Sequence, residues 1–136
     1  MKAISLWQPW ASMMGRGKCI ETRHWPAPEW LIGQRVAIHA AKRPLTGSER
    51  WLLAELGCYG RFIDADALPF GAIVSVATLR ACEVITRGMP LNPVERLLGN
   101  YAPGRYGWHF SNFQHLQVPI PTVGRQGIFN VEEIEL

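Results

Sequence analysis

Lys18, Glu21 and Arg23 fall at i, i+3 and i+5 of Lys18-Cys19-Ile20-Glu21-Thr22-Arg23, a stretch that otherwise reads as apolar. Just upstream lies Leu6-Trp7-Gln8-Pro9-Trp10. Charge near a core is costly unless it is paired or engages a ligand. An acid flanked by two bases suits a nucleotide. Lys18 and Arg23 can meet phosphate or a base edge, while Glu21 orients them or accepts a base amino proton. If the segment is catalytic, Lys18 is the base once burial lowers its pKa, and Glu21 is the general acid. The same charges would also serve as an ion pair that holds a strand to its neighbour.

Trp7, Trp10, Trp25 and Trp30 crowd one quarter of the chain. Indole faces stack on bases at about 1–3 kcal/mol each. Trp10 shares an apolar face with Met13 and Met14, so it points to the core. Trp7 and Trp25 flank the charged segment and are the better stacking candidates. Gln8 either reads a base edge through its amide or caps the helix that follows. His39 reads first as a hydrogen-bonded structural histidine and second as an acid/base group. Lys42 and Arg43 follow at that strand's end and suit phosphate or solvent. Tyr101, Arg105, Tyr106 and Trp108 form a second aromatic–basic group around Pro103-Gly104, with Arg105 on the turn. His24, His109 and His115 have no ligand spacing to one another, so neither a metal nor any other cofactor is expected.

The 136 residues fit one domain, 1–136, able to bury a core without a staple. Three cysteines at wide spacing and no Cys-x-x-Cys argue against a disulfide framework or a zinc site; Cys19, Cys58 and Cys82 read as small core or near-core residues. No run approaches the roughly 20 apolar residues of a membrane span. The start lacks an apolar region of signal-peptide type, so a cytoplasmic location is the default expectation. The net charge of +3 is uneven. Residues 1–50 carry eight Lys/Arg against three Glu; residues 51–136 carry six Arg against eight Asp/Glu. A basic half points modestly to a phosphate-bearing partner.

The positioning elements follow from local pattern. Ala3–Leu6 reads as a short strand, and Pro9 opens a helix carrying Trp10, Met13 and Met14 until Gly15 and Gly17 end it. Cys19–Arg23 reads as a strand with Glu21 and Arg23 on one face; Lys18, at the turn before it, can reach that face. His24–Gly33 is a loop. In the strand Arg35–Ala40, Val36 and Ile38 alternate with Arg35, Ala37 and His39. Thr46-Gly-Ser-Glu49 is a capping box before Trp51, Leu52, Leu53 and Leu56. Residues 71–85 hold the strongest strand signal. Asn92-Pro93 starts a short helix that ends at Leu98. Tyr106–Leu116 is an aromatic strand broken by Pro119 and Pro121, and Gly127–Ile134 is a last strand. The expected class is α+β, mainly β: a small barrel of five or six strands with two or three short helices on its rim.

This pattern resembles the ASCH domain family, of the PUA-like fold. The likeness rests on Leu6-Trp7-Gln8-Pro9-Trp10-Ala11-Ser12, on Lys18-x-x-Glu21-x-Arg23 after a glycine, and on Gly33 with Val36-Ala-Ile-His39-Ala-Ala-Lys42. Gly71-Ala-Ile-Val, the Trp108 strand and Pro-Ile-Pro also fit. Arg16 stands two before Lys18, with glycines on either side of it. The resemblance covers nearly the whole chain and implies a PUA-like barrel with a cleft between barrel and first helices.

It also implies RNA or single-stranded nucleic acid as partner, with the cleft at Lys18, Glu21 and Arg23 accepting a base. Trp7, Gln8, Trp25, His39, Lys42, Arg105 and Tyr106 complete the expected contact set. The alternative is an enzyme on RNA or modified nucleosides: a ribonuclease, in which Lys18 would work with Tyr101 or Tyr106, or an N4-acylcytidine amidohydrolase-like hydrolase. In that last branch a Lys is followed three residues later by a Thr, with a downstream Glu. Here that position is Glu21, and Thr22 faces the other side of the strand. A protein-interaction module, suggested only by the acidic Glu132-Glu133-Ile-Glu135, is the third reading.

Overall fold

Strand and helix signals translate into six strands and three α-helices in a computed structural model describing residues 1–136. The strands are β1 (Lys2–Leu6), β2 (Ile20–Arg23), β3 (Arg35–Ala40), β4 (Ala72–Val84), β5 (Tyr106–Pro121) and β6 (Ile128–Asn130). The helices are α1 (Trp10–Met13), α2 (Gly47–Gly57) and α3 (Pro93–Leu97). All strands join one curled sheet in the order β2-β5-β4-β3-β1-β6, with the helices on its rim. This is the mainly-β α+β class expected. No helix is long and apolar enough to cross a membrane.

The caps form as their residues dictate. Thr46 Oγ1 accepts from the Glu49 N–H at 3.2 Å, and the Glu49 carboxylate accepts from the Thr46 N–H at 2.9 Å. Asn92 Oδ1 accepts from the Glu95 N–H at 2.8 Å, with Pro93 in the first turn where its missing N–H costs nothing. Helices α1, α2 and α3 pack together through Met13, Leu52, Leu53, Leu56, Val94 and Leu98.

The main core lies inside the curl. Ile4, Leu6, Val36, Ile38, Leu79, Trp108 and Phe110 fill it. β1 and β3 pair in parallel, Lys2 opposite Val36 through Leu6 opposite Ala40. Alternation on β3 does not separate core from solvent as the sequence suggested. Residues 36–40 are all buried, because Ala3, Ala37, Ile73 and Phe129 form a second cluster on the sheet's other face.

Two further expectations change. Pro119 does not break the fifth strand, which runs past Leu116 and ends only at Pro121. β2 pairs only with residues 106–109 of β5, so farther along β5 is an edge strand, where proline is tolerated. Nor are all three cysteines core or near-core residues: Cys19 and Cys58 are exposed, whereas Cys82 is half-buried and packs against the main core as expected.

Candidate functional site

β2 lies at one edge of the sheet, antiparallel to β5, with Glu21 opposite Trp108 and Arg23 opposite Tyr106. Strand alternation puts Glu21 and Arg23 on one face, as read from the sequence. Arg23 Nη2 lies 3.5 Å from Glu21 Oε2 and donates to the Ser5 carbonyl at 3.3 Å. Its guanidinium carbon stands 5.4 Å from the Trp108 ring centroid. The pair is therefore tied to both β1 and β5, yet it opens onto a cleft.

That cleft has a volume of about 1530 Å³. Its walls are Ser5 and Trp7 at the end of β1, Glu21–Trp25, His39, Ala41 and Lys42 at the end of β3, Phe70 and Gly71, Arg105, and the 121–127 connection into β6. Arg23, Lys42, Arg105 and Arg125 face Glu21 as the single carboxylate, a clear cationic excess. Arg105 is held by two contacts: Nη2 donates to the Thr22 carbonyl at 3.1 Å and Nη1 lies 3.1 Å from His24 Nε2. Trp7 and Trp25 stand at its edge, each 56% exposed. A second cavity of about 530 Å³ shares Ser5, Trp7, Glu21, Thr22 and Arg105 with the first and continues past Trp10, Leu97 and Asn100.

Trp7 is backed on one face. The Arg43 guanidinium sits 3.8 Å from its ring centroid, within cation–π range. Arg43 in turn donates to Glu49 Oε2 at 2.5 Å. Burial pushes the Glu49 carboxyl up, but the Thr46 N–H and the Arg43 guanidinium outweigh it and hold the group below its ordinary value. The helix cap, the arginine and the indole thus form one connected chain.

The structure brings Trp7, Glu21, Arg23, Trp25, His39, Lys42 and Arg105 to the same cleft. Three expected site residues lie elsewhere. Lys18 does not reach the face of Glu21 and Arg23: it is 2% exposed, and its Nζ donates to the Ile20 carbonyl and lies 3.3 Å from Glu95 Oε1. The carboxylate of Glu95 also accepts from the Cys19 N–H at 2.8 Å, the Ile20 N–H at 3.2 Å and the Tyr101 hydroxyl at 2.8 Å. Four donors converge on one buried acid from α3, which fixes the start of β2. Burial and then the Glu95 carboxylate push the Tyr101 phenol well above its ordinary value, so Tyr101 remains a donor. Neither the Lys18–Glu21 acid/base pair nor a Lys18–Tyr101 ribonuclease pair is therefore assembled in the cleft.

Gln8 is also a structural residue. Its amide donates to Ser12 Oγ at 2.7 Å and to the Pro69 carbonyl at 2.9 Å, and accepts from the Ser12 N–H at 3.0 Å. That satisfies the side chain and leaves it 1% exposed. Tyr106 packs against the main core rather than lining either cavity.

Sequence reading missed the 122–127 segment and His24 as cleft walls. The available signal was Gly124-Arg125-Gln126-Gly127, a basic residue bracketed by glycines just before the last strand.

With this geometry in hand, solved structures supply a reference. The crystal structure of ASCH from Zymomonas mobilis is similar over 97% of this chain and 87% of that chain, with a TM-score of 0.57 and 16% sequence identity. The chain shares the ASCH fold. No protein-family model matches it, and no curated protein matches it in sequence. At that identity the likeness concerns the fold, so the chemistry of the cleft is read from the residues that line it here.

Proposed function

We propose that the chain is a nucleic-acid-binding module for RNA or other single-stranded nucleic acid, with one base entering the cleft beside Glu21 and Arg23. The observation that carries this reading is the cleft itself: four cations around one carboxylate, edged by two exposed indoles. Arg23, Lys42, Arg105 and Arg125 suit successive phosphates, a contact that positions a strand without reading it. Trp7 and Trp25 suit base stacking, which tolerates any sequence. Glu21 adds the discriminating element, an acceptor for an exocyclic amine such as that of cytosine. Lys18 contributes by holding β2 in place from behind.

Fluorescence anisotropy with labelled oligouridylate and oligocytidylate, each at several salt concentrations, tests the reading. Four phosphate contacts give a log–log salt slope of roughly −3 for a single strand. Lys42→Glu weakens both oligomers alike, whereas Glu21→Ala changes their ratio. Salt-independent affinity, or a Glu21→Ala protein with an unaltered ratio, contradicts it.

A further inference from the structure

Ser5 and His39 stand opposite each other in the parallel register of β1 and β3. Ser5 Oγ is 2.9 Å from His39 Nδ1, and His39 Nε2 is 2.7 Å from the Thr122 carbonyl oxygen. A carbonyl only accepts, so Nε2 carries the proton and donates it. Nδ1 is then a free lone pair, and the Ser5 hydroxyl donates to it. This is the arrangement of a hydroxyl nucleophile, an imidazole base and a third group that fixes the tautomer.

The base is held rigidly. Its ring meets Phe129 edge-on, with centroids 5.9 Å apart at 84°. Gly124 closes another side so tightly that a Cβ there would fall 2.5 Å from His39 Cε1. His39 is 1% exposed, whereas Ser5 is half-buried and borders both cavities. β6 pairs with β1 only as far as Ile4, so Ser5 follows the last paired position on that side and borders the cleft. Arg23 donates to the Ser5 carbonyl at 3.3 Å, and its Nε is buried without a partner. Arg23 lines the same cleft, so a cation stands beside the residue that carries the hydroxyl.

We propose that Ser5 and His39 form a nucleophile–base dyad that hydrolyses a carboxylic ester carried on a ribose hydroxyl of the nucleotide in the cleft. The nucleotide half of that substrate rests on the function proposed above; the dyad rests on its own geometry. Ser5 Oγ bonds to the ester carbonyl carbon while its proton passes to His39 Nδ1, and the Arg23 guanidinium meets the developing oxyanion. The ester C–O bond breaks, and the departing ribose oxygen takes the proton from Nδ1. Water then gives a proton to Nδ1 and attacks acyl-Ser5. The carboxylic acid leaves, and Ser5 Oγ recovers the proton from Nδ1. The sum is ester plus water giving acid plus alcohol.

The full chain is incubated with p-nitrophenyl acetate and, separately, with 3′-O-acetyl-AMP. Nitrophenolate or AMP release is followed, acyl-Ser5 is sought by peptide mass mapping, and oligouridylate binding is measured in parallel. The expected result is acetylated Ser5 and turnover of both esters, each reduced roughly 100-fold or more in Ser5→Ala and His39→Gln. Ser5→Ala removes a single oxygen and so decides the matter even where His39→Gln disturbs packing. Rates equal in wild type and Ser5→Ala, with no acyl-Ser5, overturn the dyad whether or not oligouridylate binds. Acylation of Ser5 by p-nitrophenyl acetate without binding of oligouridylate or turnover of 3′-O-acetyl-AMP supports the dyad but overturns the nucleotide ester and the nucleic-acid reading with it.

Discussion

Glu95→Ala separates the structural role of Lys18 from a binding role. The Glu95 carboxylate accepts from Lys18 Nζ, the Cys19 and Ile20 N–H groups and the Tyr101 hydroxyl, at 2.8 to 3.3 Å. Both partners of the ion pair are almost wholly buried, with side-chain exposures of 1% and 2%. Removing the acid leaves an ammonium in the interior with only the Ile20 carbonyl, and two backbone donors unpaired. Breaking one side of a buried pair costs about 3–5 kcal/mol. Against a typical total of about 5–15 kcal/mol, that is a large fraction. For a chain of this size it lowers Tm by roughly 10–20 °C. Thermal and urea unfolding followed by circular dichroism measure it. The double variant Lys18→Met with Glu95→Gln leaves no uncompensated charge and lies closer to wild type than Glu95→Ala. Folded Lys18→Met binds oligonucleotides with wild-type base preference, because Lys18 does not line the cleft. The reasoning is refuted by a Glu95→Ala cost below about 1 kcal/mol, or by a Lys18→Met protein that is stable yet no longer binds.

Three other outcomes are expected. Arg43→Ala uncovers one face of Trp7 and frees Glu49, so it weakens oligonucleotide binding by about 0.5–1 kcal/mol at this exposed site, read by anisotropy together with a shift in Trp emission. Thr46→Ala removes one half of the α2 capping box and costs about 1 kcal/mol in urea unfolding. The Glu49 carboxyl titrates below its ordinary 4.5 in the folded chain, so its contribution is complete above that value and is lost as pH falls through the folded pKa; Glu49→Gln therefore flattens the loss of stability as pH falls below 4.5.

What the sequence revealed was mostly local. The Thr46–Glu49 box, the Asn92-Pro93 start and the Glu21/Arg23 face all depend on residues a few positions apart, and each formed as its spacing implies. Long-range partners were hidden. Lys18 was read with Glu21, three residues away, but its acid is Glu95, 77 residues on, and nothing in the local pattern announces that pairing. For Gln8 the local alternative held, since its amide accepts from the Ser12 N–H at the start of α1, but its second acceptor, the Pro69 carbonyl 61 residues away, was hidden in the same way. The Ser5–His39 contact required the parallel register of β1 and β3, and the Thr122 carbonyl that sets the tautomer arrives from the far end of β5. His39 burial likewise reflects coverage of both sheet faces, which alternation within one strand does not show.

The most direct test of the cleft is a nuclear magnetic resonance titration of the labelled chain with oligouridylate, reading backbone amides and the indole N–H groups. The account predicts that the largest shifts cluster at Trp7, Glu21–Trp25, Arg105 and residues 122–127, fading as salt rises. Shifts centred on the outer faces of α2, or none at millimolar oligonucleotide in low salt, would contradict it.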